Sequence, residues 1–298
     1  MKFENIIKQD FKDILGQEDV KKHLKGALLS ERNIVLVGAP GIGKTTLAKN
    51  ISKLMPKIEG KSAPFVRVQG SPDLTAEDLI GDIDPIKALK FGPSSKEAFS
   101  PGKIFQANNG VMFFDEINRC SEKLQNSLLQ ALEEKKVTIG SYKVDFDANF
   151  VFIGTMNPED TSTEPLSDVF LDRFDFIYVH YPETLEIEKE IVLKSGKSII
   201  EFPNKLLEGC LKFIRDLRID ENIEKNPSVR ASLGLYERAQ THALLSGRKQ
   251  VSIEDVQAIM VSVLSHRIRL KPSMKYLKKA EDYVKEEFEK FSEKGGYL

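Results

Sequence analysis

Four residues with a defined spacing, Gly38, Gly43, Lys44 and Thr45, fit the pattern G-x-x-x-x-G-K-[ST]. In this pattern backbone N–H groups surround phosphate oxygens, the lysine reaches the β- and γ-phosphates, and the hydroxyl ligates Mg²⁺. Glycine allows the tight turn, and the helix that follows adds the positive end of its dipole. The spacing therefore predicts a nucleotide-binding loop formed by Gly38, Ala39, Pro40, Gly41, Ile42, Gly43, Lys44, Thr45 and Thr46.

The segments on either side give this loop its structural context. Residues 34–37 form an apolar run typical of a strand, and residues 45–54 follow a helical pattern that Pro56 ends. An amphipathic helix is predicted over residues 17–29, before the strand. A phosphate-binding loop of this type lies between a strand and a helix, and the predicted loop has this position. The alternative is a glycine-rich turn with a chance lysine.

Two carboxylates form a second chemical feature, because an apolar run over residues 111–114 ends in Asp115 and Glu116. Asp115 is predicted to hold Mg²⁺, directly or through water, and Glu116 to orient and activate the attacking water. Asn157 follows the next buried strand and is predicted to lie beside that water and the γ-phosphate. Read in isolation, the carboxylates could form a solvated turn, and an Asn before Pro is ordinarily a turn residue.

Two arginines are candidates for the cation that phosphoryl transfer needs as negative charge develops. Arg173 lies just before the last predicted strand, at an edge of the domain. Arg230 lies at the start of a helix whose N-terminus could face the nucleotide. Taken singly, either one could be a surface ion pair worth ~0 to 1 kcal/mol.

Five strand-like runs, separated by helices or crossovers, must position these residues. This pattern predicts an α/β fold with a mainly parallel, doubly wound sheet. Its strands are expected over residues 34–37, 65–69, 111–114, 150–155 and 174–179. Strand signals then stop, and helices follow, one of them opened by Asn226 and Pro227. We predict an α/β nucleotide-binding domain over residues 1–183 and a smaller all-helical lid domain over residues 184–298, with a C-terminal amphipathic helix.

Composition and charge limit the possible classes of function. A formal net charge of -1 over 298 residues gives no global attraction to nucleic acid, although local charged patches are possible, so charge neither names nor excludes such a partner, which we expect to be absent. No apolar run reaches the ~18 residues of a membrane span. The two cysteines, Cys120 and Cys210, show no zinc-ligand spacing, and a reducing cytoplasm is the expected location.

The motifs occur in an order that resembles the MoxR branch of AAA+ ATPases. The matching segments are residues 38–45, 115–119, 154–158, 171–174 and 227–230, supported by residues 14–17, 128–134 and 265–268. The likeness covers the chain from about residue 14 to residue 268. It implies ATP hydrolysis with Mg²⁺ by a homo-oligomer, commonly a hexameric ring. Members remodel or activate other proteins, often with a partner that carries a von Willebrand A domain.

The resemblance also implies a role for each site residue. Lys44 and Thr45 correspond to Walker A, while Asp115 and Glu116 correspond to Walker B. Asn157 corresponds to sensor 1, Arg173 to the arginine finger that acts on a neighbouring subunit, and Arg230 to sensor 2.

A related family offers an alternative function. Residues 83–90 and 97–102 are similar to the ATPase subunit of magnesium chelatase, which belongs to the same clade. This overlap suggests that residues 81–102 are the clade's insertion in its second helix and that residues 137–146 are its pre-sensor hairpin. After Asn118 the chain departs from the chelatase pattern. A metal-insertion motor, a nucleic-acid motor and a nucleotide-gated binding module without turnover remain the rival functions.

Overall fold

Five apolar segments form one parallel sheet in the computed structural model. They are β1 (Asn33–Val37), β2 (Phe65–Gln69), β5 (Val111–Asp115), β8 (Val151–Met156) and β9 (Phe174–Tyr178). Their order across the sheet is β2-β5-β8-β1-β9, and every neighbouring pair is parallel. β1, β5 and β8 are buried almost throughout, as expected for strands covered on both faces. The predicted doubly wound sheet is confirmed, and β2 forms one of its edges.

The structure describes residues 4–7, 9–57, 60–93, 95–139, 144–158 and 166–294. The chain packs into two units, one of Met1–Ala39 with Gly43–Val179 and one of Pro40–Ile42 with His180–Leu298. In the first unit the sheet is accompanied by α1 (Glu18–Leu29), α2 (Lys44–Leu54), α3 (Ala76–Ile80), α5 (Lys103–Gln106), α6 (Glu122–Glu134) and α7 (Asp168–Leu171). Short 3₁₀ helices cover Glu4–Ile7, Lys96–Ala98 and Ile117–Arg119.

The punctuated region over residues 81–102 has regular structure of its own. β3 (Gly81–Ile83) pairs antiparallel with β4 (Phe99–Pro101), and α4 (Pro85–Phe91) lies between them. The Asp84 carboxylate caps α4 by accepting hydrogen bonds from the N–H groups of its first turn. The predicted hairpin over residues 137–146 contains β6 (Lys136–Ile139) and β7 (Val144–Asp147), and its residues 140–143 lie outside the described part of the chain.

The second unit is helical, as predicted, and contains in addition one short strand pair. Its helices are α8 (Leu185–Ser195), α9 (Asn204–Ile219), α10 (Val229–Leu245), α11 (Ile253–Leu264), α12 (Pro272–Lys275) and α13 (Ala280–Lys294). The core includes an edge-to-face contact between Phe213 of α9 and Phe288 of α13, with ring centroids 5.1 Å apart. β10 (Ile223–Lys225) pairs antiparallel with β11 (Arg269–Leu270). Among the described residues, no helix is both long and apolar enough to cross a bilayer.

A buried ion pair connects three helices of this second unit. Glu188 of α8 is fully buried, and the Arg218 guanidinium of α9 donates to its two carboxylate oxygens at 2.7 and 2.6 Å. The Ser232 hydroxyl of α10 donates to the same carboxylate at 2.6 Å. Burial raises the pKa of Glu188, but the hydrogen bonds and positive charge of Arg218 outweigh it, so the net pKa lies below its ordinary value. The carboxylate is therefore ionised in the folded protein.

Glu188→Ala is expected to lower the free energy of unfolding of the second unit by about 3 to 5 kcal/mol, because it leaves the buried charge of Arg218 without its partner. Urea denaturation followed by circular dichroism at pH 7 measures this loss. Because the folded pKa is depressed, the contribution of Glu188 is present above the unfolded pKa and declines as pH falls through the folded one. Glu190→Ala, at an exposed position of the same helix, is the control and should change stability by less than about 0.5 kcal/mol. Equal losses in both variants would contradict the prediction.

Candidate nucleotide site

The loop between β1 and α2 has the geometry of an anion cradle. Gly41 and Gly43 have φ values of 77° and 100°, in the left-handed region that favours glycine. A Cβ placed on Gly43 would meet no atom within 4 Å, so this glycine is needed for its backbone conformation rather than for space. The Lys44 ammonium donates to the carbonyl oxygens of Gly38 and Ala39, the latter at 2.9 Å. This places a positive charge against the loop at the first turn of α2.

The Asp115 carboxylate lies at the end of β5 and accepts two hydrogen bonds. The Thr155 hydroxyl of β8 donates to Oδ1 at 2.6 Å, and the Arg67 guanidinium of β2 donates to Oδ2 at 2.6 Å. Thr155 also accepts a hydrogen bond from the N–H of Glu116 at 2.9 Å. One hydroxyl therefore connects both residues of the acidic pair to the neighbouring strand.

Glu116 is held in an unusual backbone conformation at the turn after β5. Its φ and ψ are 56° and 53°, which is uncommon outside glycine and is maintained by surrounding contacts. Its carboxylate accepts a hydrogen bond from Gln69 of β2 at 2.9 Å and pairs with Arg119 at 3.2 Å. A Cβ on Gly70 would lie 2.1 Å from the Glu116 carbonyl oxygen, so only glycine lets β2 end this close to the turn.

Reasoning from the sequence missed Arg67, Gln69 and Thr155, although all three contact the acidic pair. Arg67 and Gln69 alternate with Val66 and Val68, a period-2 pattern that places both polar side chains on one face at the end of β2. The pattern could have been noticed, but its meaning depends on β2 pairing with β5, which a single sequence does not reveal.

Asn157 lies immediately after β8, and this strand lies between β5 and β1 in the sheet. Because the carboxyl ends of parallel strands meet at one edge, Asn157 follows its strand at the same edge as Gly38 and Asp115. Its carbonyl oxygen lies 3.5 Å from the Asn118 amide nitrogen. The structure thus brings the predicted loop, acidic pair and sensor together.

Arg173 lies at the opposite end of the parallel strands, where they begin (the amino edge of the sheet). It precedes β9, whose first residue Phe174 is opposite Asn33 at the start of β1. The loop follows the other end of β1, so the five residues of this strand separate the two features by about 16 Å at ~3.3 Å per residue. The Arg173 guanidinium donates to the carbonyl of Val169 and to the carboxylate of Glu133.

Arg230 is the second residue of α10, in the second unit. Gly41 belongs to the same unit, through the segment Pro40–Ile42. A Cβ on Gly41 would lie 3.0 Å from Arg230 Cγ and 2.8 Å from the Ser228 hydroxyl oxygen. Burial and then the nearby charge of Arg230 lower the pKa of Arg267. Arg230 and Arg267 are therefore close enough for their positive charges to interact, and Arg230 is the one next to Gly41.

The two cysteines do not belong to a reactive site. Burial raises the pKa of Cys120 to about 11 and that of Cys210 to about 12, so both thiols are protonated at neutral pH. Across the described ranges, no group of three or more His, Cys, Asp and Glu side chains could hold a metal ion by itself. A metal at Asp115 would therefore need oxygen ligands from nucleotide and water as well.

Known proteins identify the family. The AAA domain of the dynein-related subfamily matches residues 33–174, and an AAA lid domain matches residues 215–287. The uncharacterized protein YeaC of Bacillus subtilis is 30% identical over an alignment of 288 residues. The match covers 88% of this chain and 85% of YeaC. Chaperone MoxR1 of Mycobacterium tuberculosis is 28% identical, over 86% of this chain and 73% of MoxR1. The chain belongs to the MoxR-type AAA+ ATPases.

This MoxR-type ATPase is also similar to proteins with other names. The magnesium-chelatase subunit ChlI homolog of Methanocaldococcus jannaschii is 26% identical, over 88% of this chain and 86% of that protein. The structure of the Holliday junction branch migration motor RuvB of Thermotoga maritima matches 84% of this chain and 70% of that chain, with a TM-score of 0.52 and 20% identity. The likeness to RuvB is one of fold alone. Membership in the MoxR and magnesium-chelatase clade makes the chain a nucleotide-binding ATPase.

Proposed function

We propose that this ATPase hydrolyses ATP with Mg²⁺ in a homo-oligomeric ring, as a hexamer, and uses the cycle to remodel or activate a protein partner in the cytoplasm. The likeness to the protein named Chaperone MoxR1, over most of both chains, supports the chaperone role. The expected partner carries a von Willebrand A domain. The proposed functional boundary between the nucleotide-binding domain and the lid lies after residue 183.

The proposed chemistry uses the residues at the carboxyl edge of the sheet. Loop residues 38–46 hold the phosphates, and Lys44 neutralises charge on the β- and γ-phosphates. Thr45 and Asp115 hold Mg²⁺, which when bound offsets the negative charge that develops on the phosphates. Glu116 orients the attacking water and accepts its proton.

Three further residues complete the proposed reaction. Asn157 positions the water against the γ-phosphate, as its place after β8 allows. Arg230 contacts the phosphates, as its correspondence to sensor 2 implies. Arg173 supplies its positive charge to the site of a neighbouring subunit, because it lies at the amino edge of its own sheet.

A capture experiment tests the partner. Glu116→Gln should bind ATP without turning it over, so cross-linking with ATP followed by mass spectrometry should recover a von Willebrand A domain protein at least ~10-fold above the level with ADP, a coupling of about 1.4 kcal/mol. Lys44→Ala is the matched control, because it removes the side chain proposed to neutralise the phosphates and should show no difference between nucleotides. Equal recovery in both nucleotide states would contradict a nucleotide-driven remodelling cycle.

A magnesium-chelatase-like motor is the second candidate, favoured by the ChlI homolog that matches most of the chain. It requires chelatase partner subunits, and the identity of the captured protein by mass spectrometry separates the two candidates. A nucleic-acid motor would instead show DNA-stimulated, salt-sensitive ATP hydrolysis. We expect no such stimulation.

A further inference from the structure

The edge strand β2 supplies a hydrogen-bond donor to each carboxylate of the acidic pair. Gln69 is directly opposite Asp115 in the parallel register, and Arg67 is two residues earlier on the same face. Arg67 reaches diagonally to Asp115, at 2.6 Å, while Gln69 reaches forward to Glu116, at 2.9 Å. The Arg67 contact places a cation on the carboxylate to which we assign the metal.

Both oxygens of Asp115 are occupied by donors of this chain. The hydroxyl of Thr155 is a neutral donor inside the sheet, whereas the guanidinium of Arg67 carries a full positive charge. Asp115 is largely buried, with 16% of its side chain exposed, and Arg67 is 52% exposed. A carboxylate with little contact to water needs a counter-charge, and a long side chain on an exposed edge can both provide it and withdraw it.

We propose that Arg67 is the internal counter-cation of Asp115, which occupies Oδ2 in the absence of metal and leaves it when Mg²⁺ is held there, so that Arg67 sets the coupling between metal and nucleotide binding. This inference rests on the proposed role of Asp115. The displaced guanidinium has an alternative partner close by, because Gln69 Oε1 lies 3.5 Å from the same nitrogen of Arg67. Because the Arg67 side chain is half-exposed, its guanidinium can leave the carboxylate for water when a divalent cation takes its place.

The proposal predicts effects of opposite sign with and without metal. Without Mg²⁺, Arg67 offsets the charge of Asp115, so Arg67→Gln leaves an unpaired carboxylate near the phosphates and should weaken nucleotide binding by about 3-fold. With Mg²⁺, Arg67 competes for Oδ2, so the same substitution should tighten binding by about 3-fold. The dissociation constant without Mg²⁺ divided by that with Mg²⁺ should therefore rise by about an order of magnitude. A purely structural loss would weaken nucleotide binding under both conditions.

The experiment is a titration of the full chain with a fluorescent ATP analogue, once in EDTA and once in excess Mg²⁺, together with direct Mn²⁺ binding by electron paramagnetic resonance. Arg67→Lys keeps the charge and should restore the parental ratio in part. Arg32→Gln is the matched control, because Arg32 is also half-exposed and pairs with Asp175 at 3.1 Å, at the other end of the sheet. It should leave the ratio unchanged.

Asp115→Asn separates failure of this inference from failure of the assigned metal site. If Asp115→Asn lowers the ratio but Arg67→Gln leaves it unchanged, or shifts both constants in the same direction, the role of Arg67 is wrong and that of Asp115 stands. If Asp115→Asn leaves the ratio at the parental value, Asp115 does not hold the metal and both proposals fail.

Discussion

Replacing Arg173 by alanine is expected to lower ATP hydrolysis by about 10³-fold or more, the usual contribution of an arginine finger. Binding of ATP should be almost unchanged, because Arg173 lies at the amino edge of the sheet and the loop at the carboxyl edge. Phosphate release and binding of a fluorescent nucleotide measure the two quantities separately. Arg32→Ala, beside the start of the same strand β9, should reduce the rate by less than about 5-fold, as expected for a surface pair.

The contacts of Arg173 within its own chain are compatible with a role toward a neighbour. Its guanidinium is held by Glu133 and by the Val169 carbonyl, while its Nε is buried and has no hydrogen-bond partner among the described residues. The contacts to Glu133 and Val169 orient the side chain before a second subunit arrives. Glu133→Gln should therefore reduce hydrolysis far less than Arg173→Ala does, because it removes only an orienting partner.

Mixed rings test whether Arg173 acts between subunits. Arg173→Ala subunits keep an intact loop, and Lys44→Ala subunits keep an intact arginine, so an interface between the two kinds contains one complete site. The mixture should hydrolyse ATP measurably faster than either variant alone. Rings shown to be mixed that recover no activity would argue against action between subunits.

The sheet and the loop were predictable from sequence for a physical reason. A strand buried on both faces is a continuous apolar run, as in β1 and β5, and the loop pattern is local in the chain. Neither depends on which strands are neighbours. The fold and the order of the motifs could therefore be predicted from these features.

The residues around the acidic pair depend on pairing that is remote in sequence. Arg67 meets Asp115 because β2 lies beside β5, and Thr155 meets it because β8 lies on the other side. The start of α10 was also misplaced: the sequence favoured Asn226 and Pro227 as cap and first turn, whereas the helix begins at Val229. The Pro227 carbonyl instead accepts a hydrogen bond from Arg218, a contact with a different helix.

Glu116→Gln is expected to lower ATP hydrolysis by about 10² to 10⁴-fold, the range for loss of general base catalysis, while ATP affinity changes by less than about 3-fold. The amide keeps the size of the side chain and can still contact Gln69 and Arg119, so the left-handed turn should persist. It cannot accept the proton of the attacking water.

The control for Glu116→Gln is the same substitution at Glu122, an exposed carboxylate in the first turn of α6, which should keep the parental rate. Comparing the two variants separates loss of a specific base from loss of negative charge near the site. In this state Oε2 of Glu116 accepts a hydrogen bond from Gln69 and pairs with Arg119, and neither contact is a proton acceptor for the attacking water. Gln69→Ala should then leave hydrolysis active, whereas Glu116→Gln should not; parental turnover by Glu116→Gln would remove the base assignment altogether.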